Sequence, residues 1–184
     1  MNDILFIHSA GPQGDHEGSD FLLSYLRDRL GSAYRIAYPE MPDPENPHYK
    51  PWRKAVKNAL HAVDENVILV GHSLGASVIL KYLSEKVPHR HIAGLFLVGA
   101  VFWGKKNWEV DEYTLHDDIL SGLSHIPNIY FYHSKDDEVV PVEHLWYFAS
   151  ALPEAKIREY DRCGHLFGKG LPELIEDIKS IRTR

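Results

Sequence analysis

The chain has 184 residues, 44% of them hydrophobic and 25% charged, which suits one folded domain and excludes a disordered or fibrous chain. Acidic residues outnumber basic ones by 26 to 20, and the formal charge of −6 argues against binding to nucleic acid or to an anionic membrane. We therefore expect a single domain over residues 1–184 with a small or neutral substrate.

Short apolar or alternating segments predict six β-strands, at residues 4–7, 34–37, 67–70, 95–98, 129–132 and 156–159. The first, third, fourth and fifth are almost uninterrupted apolar runs, as expected of parallel strands that helices cover on both faces. The first run stops at His8, so we expect neither a signal peptide nor a membrane span there.

Segments with the helical period of apolar residues alternate with these strands. Ser19 or Asp20 is expected to cap the first helix, and further helices are predicted over residues 52–63, 74–86 and 171–181. This alternation predicts an α/β fold, with a doubly wound, mainly parallel six-stranded sheet, helices on both faces and no large lid domain. The ligand site of such a sheet lies beyond the carboxyl ends of its strands.

Two segments interrupt the alternation and are expected to form the walls of the ligand pocket. Residues 39–51 contain five prolines, and residues 103–127 form an insertion before the fifth strand. Trp103 and Trp108, in the insertion, are candidates for the apolar mouth of the pocket. The alternative is that both tryptophans only pack within the fold.

A nucleophile motif follows the third strand, where Gly71-His72-Ser73-Leu74-Gly75 reads G-x-S-x-G between a predicted strand and a predicted helix. This setting would hold Ser73 on a strained turn with its hydroxyl above the sheet, while the glycines relieve crowding between strand and helix. The amide of Leu74, at the start of the helix, would point at a developing oxyanion.

A serine hydroxyl needs a base to take its proton, and the base needs an acid that orients it. His165 follows the sixth predicted strand, and the adjacent carboxylates Asp136 and Asp137 follow the fifth. Because parallel strands end at one edge of the sheet, we expect these residues to meet Ser73. The residues alone leave open which carboxylate orients the histidine, and whether both instead cap the next helix.

The loop after the first strand contains Ser9-Ala10-Gly11 and is expected to supply a second oxyanion amide, for which we nominate Ala10. Ser9 and His72 are further candidates for the substrate pocket. The glycines of this loop could instead hold phosphate, but acidic neighbours and the lack of a lysine argue against that ligand.

With these motifs the chain resembles the α/β-hydrolases, and more narrowly the small serine hydrolases related to retinoblastoma-binding protein nine. The narrower resemblance rests on Met41-Pro42-Asp43-Pro44, on Pro47 and on Trp52 at the start of a helix. It covers essentially the whole chain. The run Asp-Glu-Val-Val-Pro that begins at Asp137 is similar to the usual α/β-hydrolase form, which favours Asp137 over Asp136.

The resemblance implies that Ser73, Asp137 and His165 are nucleophile, orienting acid and base. It does not extend to a retinoblastoma-type partner, because that binding is tied to a Leu-x-Cys-x-Glu peptide and the only cysteine, Cys163, stands in Asp-Arg-Cys-Gly-His. A single cysteine also allows no intramolecular disulfide and favours a cytoplasmic location. We expect its side chain to be a small buried thiol.

The sequence therefore predicts a serine hydrolase, of carboxylesterase type, that cleaves small esters or activated amides and thioesters by two-step acyl transfer without a cofactor. Thioesterase, peptidase, lipase and perhydrolase chemistries use the same triad and stay open. A dehalogenase is excluded because it needs a carboxylate in place of Ser73. A non-catalytic protein-interaction member of the same fold is the alternative.

Other patterns are weaker. Residues 99–106 match most of a P-loop, but Lys106 replaces the hydroxyl that holds magnesium, so nucleotide binding is not expected. His89 and His91, and the His-Asp-Asp run at residues 116–118, have metal-binding atoms but match no recognised ligand set, so no metal site is expected.

Overall fold

The computed structural model describes residues 2–85, 90–105, 107–115 and 122–181. Within these residues six strands form one sheet: β1 (Asn2–Ile7), β2 (Tyr34–Ala37), β3 (Asn66–His72), β4 (His91–Val98), β5 (Ile129–Ser134) and β6 (Lys156–Tyr160). Their order is β2-β1-β3-β4-β5-β6, and every neighbouring pair is parallel. Each predicted strand lies inside an observed one, and the predicted fold class is confirmed.

Helices cover both faces of the sheet. They are α1 (Asp20–Leu30), α2 (Tyr49–Ala62), α3 (Leu74–Glu85), α4 (Glu143–Ala151) and α5 (Pro172–Ser180), with a short 3-10 turn at Gly31–Ala33. Side chains of α2, α3 and α4 share one buried cluster with the sheet, and those of α1 and α5 share the cluster on the opposite face. In the described part of the chain, no helix has the length and apolarity needed to span a bilayer.

Two local predictions about helices differ from the structure. Ser19 stands at the N-cap of α1, but its side chain makes no capping hydrogen bond and instead contacts Ser9 and His72. Helix α4 is expected from the sequence only as the helix that follows Asp137, without bounds, because apolar residues lie on both its buried and its exposed sides, as Phe148 and Trp146 show. Its sequence therefore lacks a one-sided apolar stripe.

The winding of the sheet reverses between β1 and β3, because the chain passes from β1 to β2 on one side and then to β3 on the other. The loop after β1 and the turn after β3 therefore lie next to each other at the carboxyl edge. In doubly wound sheets this reversal opens the crevice that holds ligands. Ser73 and the loop of Ala10 are both at this crevice.

Candidate active site

Ser73 occupies a strained turn between β3 and α3. Its φ angle is +53°, a left-handed conformation that a residue with a side chain rarely adopts. Its amide donates to the carbonyl of Val98 across 2.8 Å, and its carbonyl accepts from the amide of Ser77 across 3.2 Å. These bonds to β4 and α3 hold the turn, so the strain is compensated by the surrounding backbone.

The two glycines of the motif allow the close approach of strand and helix that this turn requires. A Cβ atom on Gly71 would lie 2.6 Å from the Cα atom of Ala76. A Cβ atom on Gly75 would collide with the carbonyl oxygens of Ile7 and His8 at the end of β1. Glycine is therefore required on both sides of Ser73 by backbone contacts.

Ser73, His165 and Asp137 meet at the carboxyl edge of the sheet, from loops that follow β3, β6 and β5. The Oγ atom of Ser73 lies 2.9 Å from Nε2 of His165, and Nδ1 of the same ring lies 2.8 Å from Oδ2 of Asp137. The Asp137 side chain has no solvent exposure and that of His165 has 6%. This arrangement has the geometry of a nucleophile, a base and an orienting acid.

The carboxylate of Asp137 is held ionised by its surroundings. Burial acts to raise its pKa, but the hydrogen bond with His165 and those from two backbone amides outweigh burial, and the pKa lies below its ordinary value. The amides belong to Val139 and Val140 and donate to Oδ1 across 2.9 and 2.7 Å. One oxygen of Asp137 is thus fixed by the backbone, and the other faces the histidine.

Asp136 has a different place from its neighbour. Its exposed carboxylate accepts hydrogen bonds through Oδ1 from the hydroxyl of Ser134 at 2.6 Å and from the amides of Cys163 and Gly164 at 3.1 and 2.9 Å. These amides lie directly before His165 in the chain. Asp136 therefore anchors the loop that carries the histidine, whereas Asp137 contacts the ring.

The two nominated oxyanion amides lie on opposite sides of the crevice. Leu74 is the first residue of α3, where backbone amides have no partner within the helix. Ala10 is in the loop after β1, and the amides on either side of it are engaged: Ser9 donates to Ser19 Oγ at 2.9 Å and Gly11 donates to the Pro44 carbonyl at 2.7 Å. Among the described residues the Ala10 amide has no such acceptor.

Ser9 and His72, expected in the pocket wall, are buried behind the site. Ser9 is 4% exposed, and His72 has no exposure. Both ring nitrogens of His72 are within hydrogen-bond distance of protein oxygens, Ser19 Oγ at 2.7 Å and the His165 carbonyl at 2.9 Å. The structure therefore differs from the expectation that these side chains face a substrate.

Trp103 and Trp108 belong to an aromatic group between the insertion and α4. The ring of Trp103 stacks on Tyr113 with 5.1 Å between centroids and meets Trp108 edge to face at 5.4 Å. Trp108 in turn contacts the ring of His144 at 5.5 Å. The two tryptophans are half-buried and pack against each other, and the rest of the insertion includes residues 116–121, which are outside the described part.

Hydrogen bonds also tie the insertion to the proline-rich segment. The Glu112 carboxylate accepts a hydrogen bond across 2.9 Å from the amide of Tyr49, the first residue of α2. The same carboxylate lies 3.1 Å from Nδ1 of His48. The Tyr113 hydroxyl donates to the carbonyl of Pro47 at 2.9 Å. Residues 47–49 and 112–113 are therefore held together.

Gly99 lies against the candidate site and was not among the predicted site residues. It follows β4 with a φ angle of +57°, and a Cβ atom there would lie 3.2 Å from Cε1 of His165 and 3.7 Å from Oδ2 of Asp137. In the sequence it stands out only as the first glycine of a P-loop pattern. Its position directly after a strand, at the same edge as the other site residues, was the available signal.

Other candidates lie apart from this site. The thiol of Cys163 is half-buried, and burial and the nearby carboxylate of Asp136 raise its pKa, so it is a poor nucleophile. The described residues contain no group of three side chains able to hold a metal ion. Lys106, His89 and the run at residues 116–118 lie outside the described residues.

Three comparisons relate the chain to known proteins. The profile of a family described as serine hydrolase matches residues 15–170. The chain is 29% identical over 130 residues to YdeN of Bacillus subtilis (strain 168), a match that covers 68% of this chain and 66%, just under two thirds, of YdeN. It is 28% identical over 146 residues to the serine hydrolase RBBP9 of Rattus norvegicus, covering 78% of this chain and 75% of that protein.

Solved structures share the fold. The crystal structure of the ydeN gene product from B. subtilis superposes with a TM-score of 0.81 at 22% identity, over 98% of both chains. A YdeN-like protein from Pectobacterium atrosepticum superposes with a TM-score of 0.75 at 18% identity, over 99% of this chain and 94% of that one. At these identities the likeness establishes the architecture and leaves the substrate to be argued from the site.

Proposed function

Because the chain belongs to the serine hydrolase family, we propose that it hydrolyses small carboxylic esters, or activated amides and thioesters, through an acyl-enzyme intermediate on Ser73. The observation that carries this proposal is the pair of contacts at His165, 2.9 Å to Ser73 Oγ and 2.8 Å to Asp137 Oδ2. A base that bridges a nucleophile and a buried carboxylate is the arrangement that acyl transfer requires.

In the first half of the reaction, Ser73 Oγ attacks the carbonyl carbon while His165 Nε2 takes the hydroxyl proton. The carbonyl π electrons move to the oxygen, and the amides of Leu74 and Ala10 donate to that oxyanion. The Nδ1–H group of His165 donates to ionised Asp137, which fixes the tautomer and stabilises the imidazolium. The oxyanion then collapses, the leaving group takes the proton from Nε2, and the acyl group stays on Ser73.

In the second half, His165 takes a proton from water, and the resulting hydroxide attacks the acyl carbon. The same amides hold the second oxyanion. Its collapse breaks the bond to Ser73, whose Oγ regains the proton from Nε2 as the carboxylic acid leaves. No metal or redox group takes part in either step of this proposal.

The proposed preference is for small acyl groups. Its support is the packing of the insertion, where the half-buried Trp103 and Trp108 lie in one aromatic group and Glu112 ties the insertion to the proline-rich segment. With these two segments as the pocket walls, the packed aromatic rings would leave room for a small acyl group only. The single half-buried thiol of Cys163 supports a reducing, cytoplasmic location as a further part of the proposal.

Fluorophosphonate labelling and turnover of p-nitrophenyl esters test the proposal. Ser73→Ala should abolish labelling and lower kcat by on the order of a millionfold, as loss of a triad nucleophile does. Ser24 lies in α1, away from the site, so Ser24→Ala is the matched control and should keep both the labelling and the kcat of the wild type. Wild-type turnover in Ser73→Ala would refute the proposal, and a folded wild-type protein that takes no label would favour the non-catalytic alternative.

A further inference from the structure

Four buried polar side chains form a hydrogen-bonded chain behind the nucleophile. The His72 network consists of His8, Ser9, Ser19 and His72, whose exposed fractions are 0%, 4%, 0% and 0%. Buried polar groups are costly unless they are paired, and each of these is paired within the protein. The mechanism described above uses none of their side chains.

Proton directions in the network follow from its backbone ends. A carbonyl can only accept, so Nε2 of His72, 2.9 Å from the carbonyl oxygen of His165, carries the ring proton. Nδ1 of His72 is then an acceptor, and the Ser19 hydroxyl, 2.7 Å away, donates to it. Ser19 Oγ in turn accepts a hydrogen bond from the amide of Ser9 at 2.9 Å. The hydroxyl oxygens of Ser9 and Ser19 also lie 3.0 Å apart, and Ser9 Oγ lies 3.4 Å from Nδ1 of His8, so the four side chains are connected throughout.

The far end of the network is fixed in the same way. The amide of Ser19 can only donate, and it lies 3.2 Å from Nε2 of His8, which is therefore an acceptor. Nδ1 of His8 then carries the proton and donates to the carbonyl of Ser9 at 3.1 Å. Both the amide and the carbonyl of Ser9, the residue before Ala10, are held by this network.

The loop that carries His165 depends on such contacts because it lies between β6 and α5, outside any helix or strand. Its backbone adopts positive φ angles at Gly164 and Phe167, +60° and +50°. Asp136 holds it on one side through the amide of Gly164. The hydrogen bond from His72 to the His165 carbonyl holds it on the other side and directly at the residue that serves as base.

We propose that His72 is a positioning residue that joins the base and the oxyanion loop into one hydrogen-bonded unit. Its Nε2–H group fixes the main chain of His165, and its Nδ1 atom, through Ser19, fixes the main chain beside Ala10. This inference rests on the proposed function, because it assigns His72 to the same acyl-transfer site. The ring has no solvent exposure, and its two nitrogens face Ser19 Oγ and the His165 carbonyl, so it acts through the base and not on the substrate.

The electrostatics of the ring agree with a fixed, neutral role. Burial, and next to it the neighbouring His165, lower the pKa of His72 to about 3. The two rings lie 5.1 Å apart between centroids. A second positive charge at this distance would oppose the imidazolium that forms on His165 during catalysis, so a neutral His72 also favours the proposed reaction.

Two substitutions separate the two hydrogen bonds of the ring. The side-chain amide of His72→Gln can reach the position of Nε2 and keep the donor to the His165 carbonyl. The side-chain oxygen of His72→Asn reaches only the position of Nδ1, so it keeps the acceptor for Ser19 and loses the donor. With p-nitrophenyl acetate we expect kcat of the Asn variant, which releases the main chain of the base, to fall on the order of a hundredfold with little change in KM. The Gln variant, which loses only the acceptor for Ser19, should lose less, on the order of tenfold.

The exposed His91, at the start of β4 and the opposite edge of the sheet, provides His91→Gln and His91→Asn as matched controls that should keep wild-type kinetics. Thermal unfolding of both His72 variants tests whether a loss of kcat is a loss of folding. A lower kcat for Asn than for Gln in folded proteins supports the proposal. Equal kcat values for the two variants, or a lower value for Gln, overturn it.

A spectroscopic measurement covers the case in which a variant does not fold. Nitrogen-15 NMR of the histidine side chains in the wild-type protein should show His72 as the neutral Nε2–H tautomer, unchanged between pH 8 and pH 5.5. Observation of the Nδ1–H tautomer, or of titration in that interval, would overturn the proposal. Loss of labelling in Ser73→Ala, with equal His72 variants, would retain the proposed function and reject this inference alone.

Discussion

Asp136 accepts a hydrogen bond from the amide of Gly164, the residue directly before His165, across 2.9 Å. The next residue, Asp137, contacts the ring of His165 from inside the protein. Two adjacent carboxylates thus act on one histidine at different points, one on its backbone and one on its imidazole. The separation arises because consecutive side chains after a strand point in different directions.

Substitution of each carboxylate should separate these contacts. Asp137→Asn should lower kcat on the order of ten-thousandfold, since an amide in place of the acid disturbs the tautomer of the base. Asp136→Asn keeps a side-chain oxygen that can accept the hydrogen bonds from the two backbone amides, so this variant should keep most of the activity. Asp136→Ala loses that acceptor. Esterase kinetics of the three variants check this, and loss of activity in Asp136→Asn but not in Asp137→Asn would contradict the assignment.

Gly99→Ala should lower kcat on the order of a hundredfold, because its Cβ atom would press on the imidazole of His165 and displace it from Ser73. Two glycines provide matched controls. A Cβ atom on Gly168 meets nothing within 4 Å, and the same is true of Gly31, which also has a φ angle of +63°.

Kinetics and thermal unfolding of the three alanine variants distinguish displacement of the His165 ring from strain in the backbone of the substituted residue. Gly168→Ala should be neutral, and Gly31→Ala should lower stability by roughly 1–3 kcal/mol while keeping kcat, because φ +63° with ψ −160° is a backbone conformation almost confined to glycine. Equal kcat in Gly99→Ala and Gly31→Ala would show that crowding of the base is not the cause.

Much of the fold was predictable because the strands that helices cover on both faces are almost wholly apolar. The nucleophile turn was predictable because backbone crowding permits only glycine at Gly71, which faces Ala76, and at Gly75, which faces the carbonyls of Ile7 and His8. Such steric requirements appear in the sequence as a residue type at a fixed spacing. Side-chain hydrogen bonds between distant segments do not, and the choice between Asp136 and Asp137 needed either a resemblance or coordinates.

The hydrogen bonds of the His72 network could not be predicted from the sequence. Ser19 stands just before a helix and so looks like a capping residue, yet its hydroxyl bonds to a ring 53 positions away. His72 looks like a pocket residue because it precedes Ser73, but the alternation of side chains along β3 turns it into the interior. Nothing in the local pattern specifies either partner.

Buried neutral histidines should make the protein sensitive to acid. Burial lowers the pKa of His8, His72 and His133, and that of His72 falls from 6.5 to about 3. Below pH 6.5 these histidines therefore bind protons in the unfolded chain but stay neutral in the folded chain. The free energy of unfolding consequently falls as the pH falls. The loss is about 1.4 kcal/mol for each such histidine per pH unit, until the folded pKa is reached.

Urea unfolding at pH 7, 6 and 5 measures this dependence. His72→Gln should reduce the slope between pH 6 and 5 by about 1.4 kcal/mol per unit, because a glutamine takes up no proton in either state. His91→Gln, at an exposed position, is the control and should leave the slope as in the wild type. An unchanged slope in His72→Gln would mean that this ring titrates alike in both states.

The contact between Glu112 and Tyr49 should stabilise the start of α2. A carboxylate that accepts the first amide of a helix replaces a missing capping side chain, and His48, at the N-cap, makes no capping hydrogen bond of its own. Glu112→Ala should therefore lower the free energy of unfolding by about 1 kcal/mol and speed hydrogen exchange at the Tyr49 amide. Glu109→Ala, an exposed carboxylate of the same segment, should change stability by less than about 0.5 kcal/mol. Equal exchange rates at Tyr49 in the two variants would show that the carboxylate of Glu112 does not cap α2.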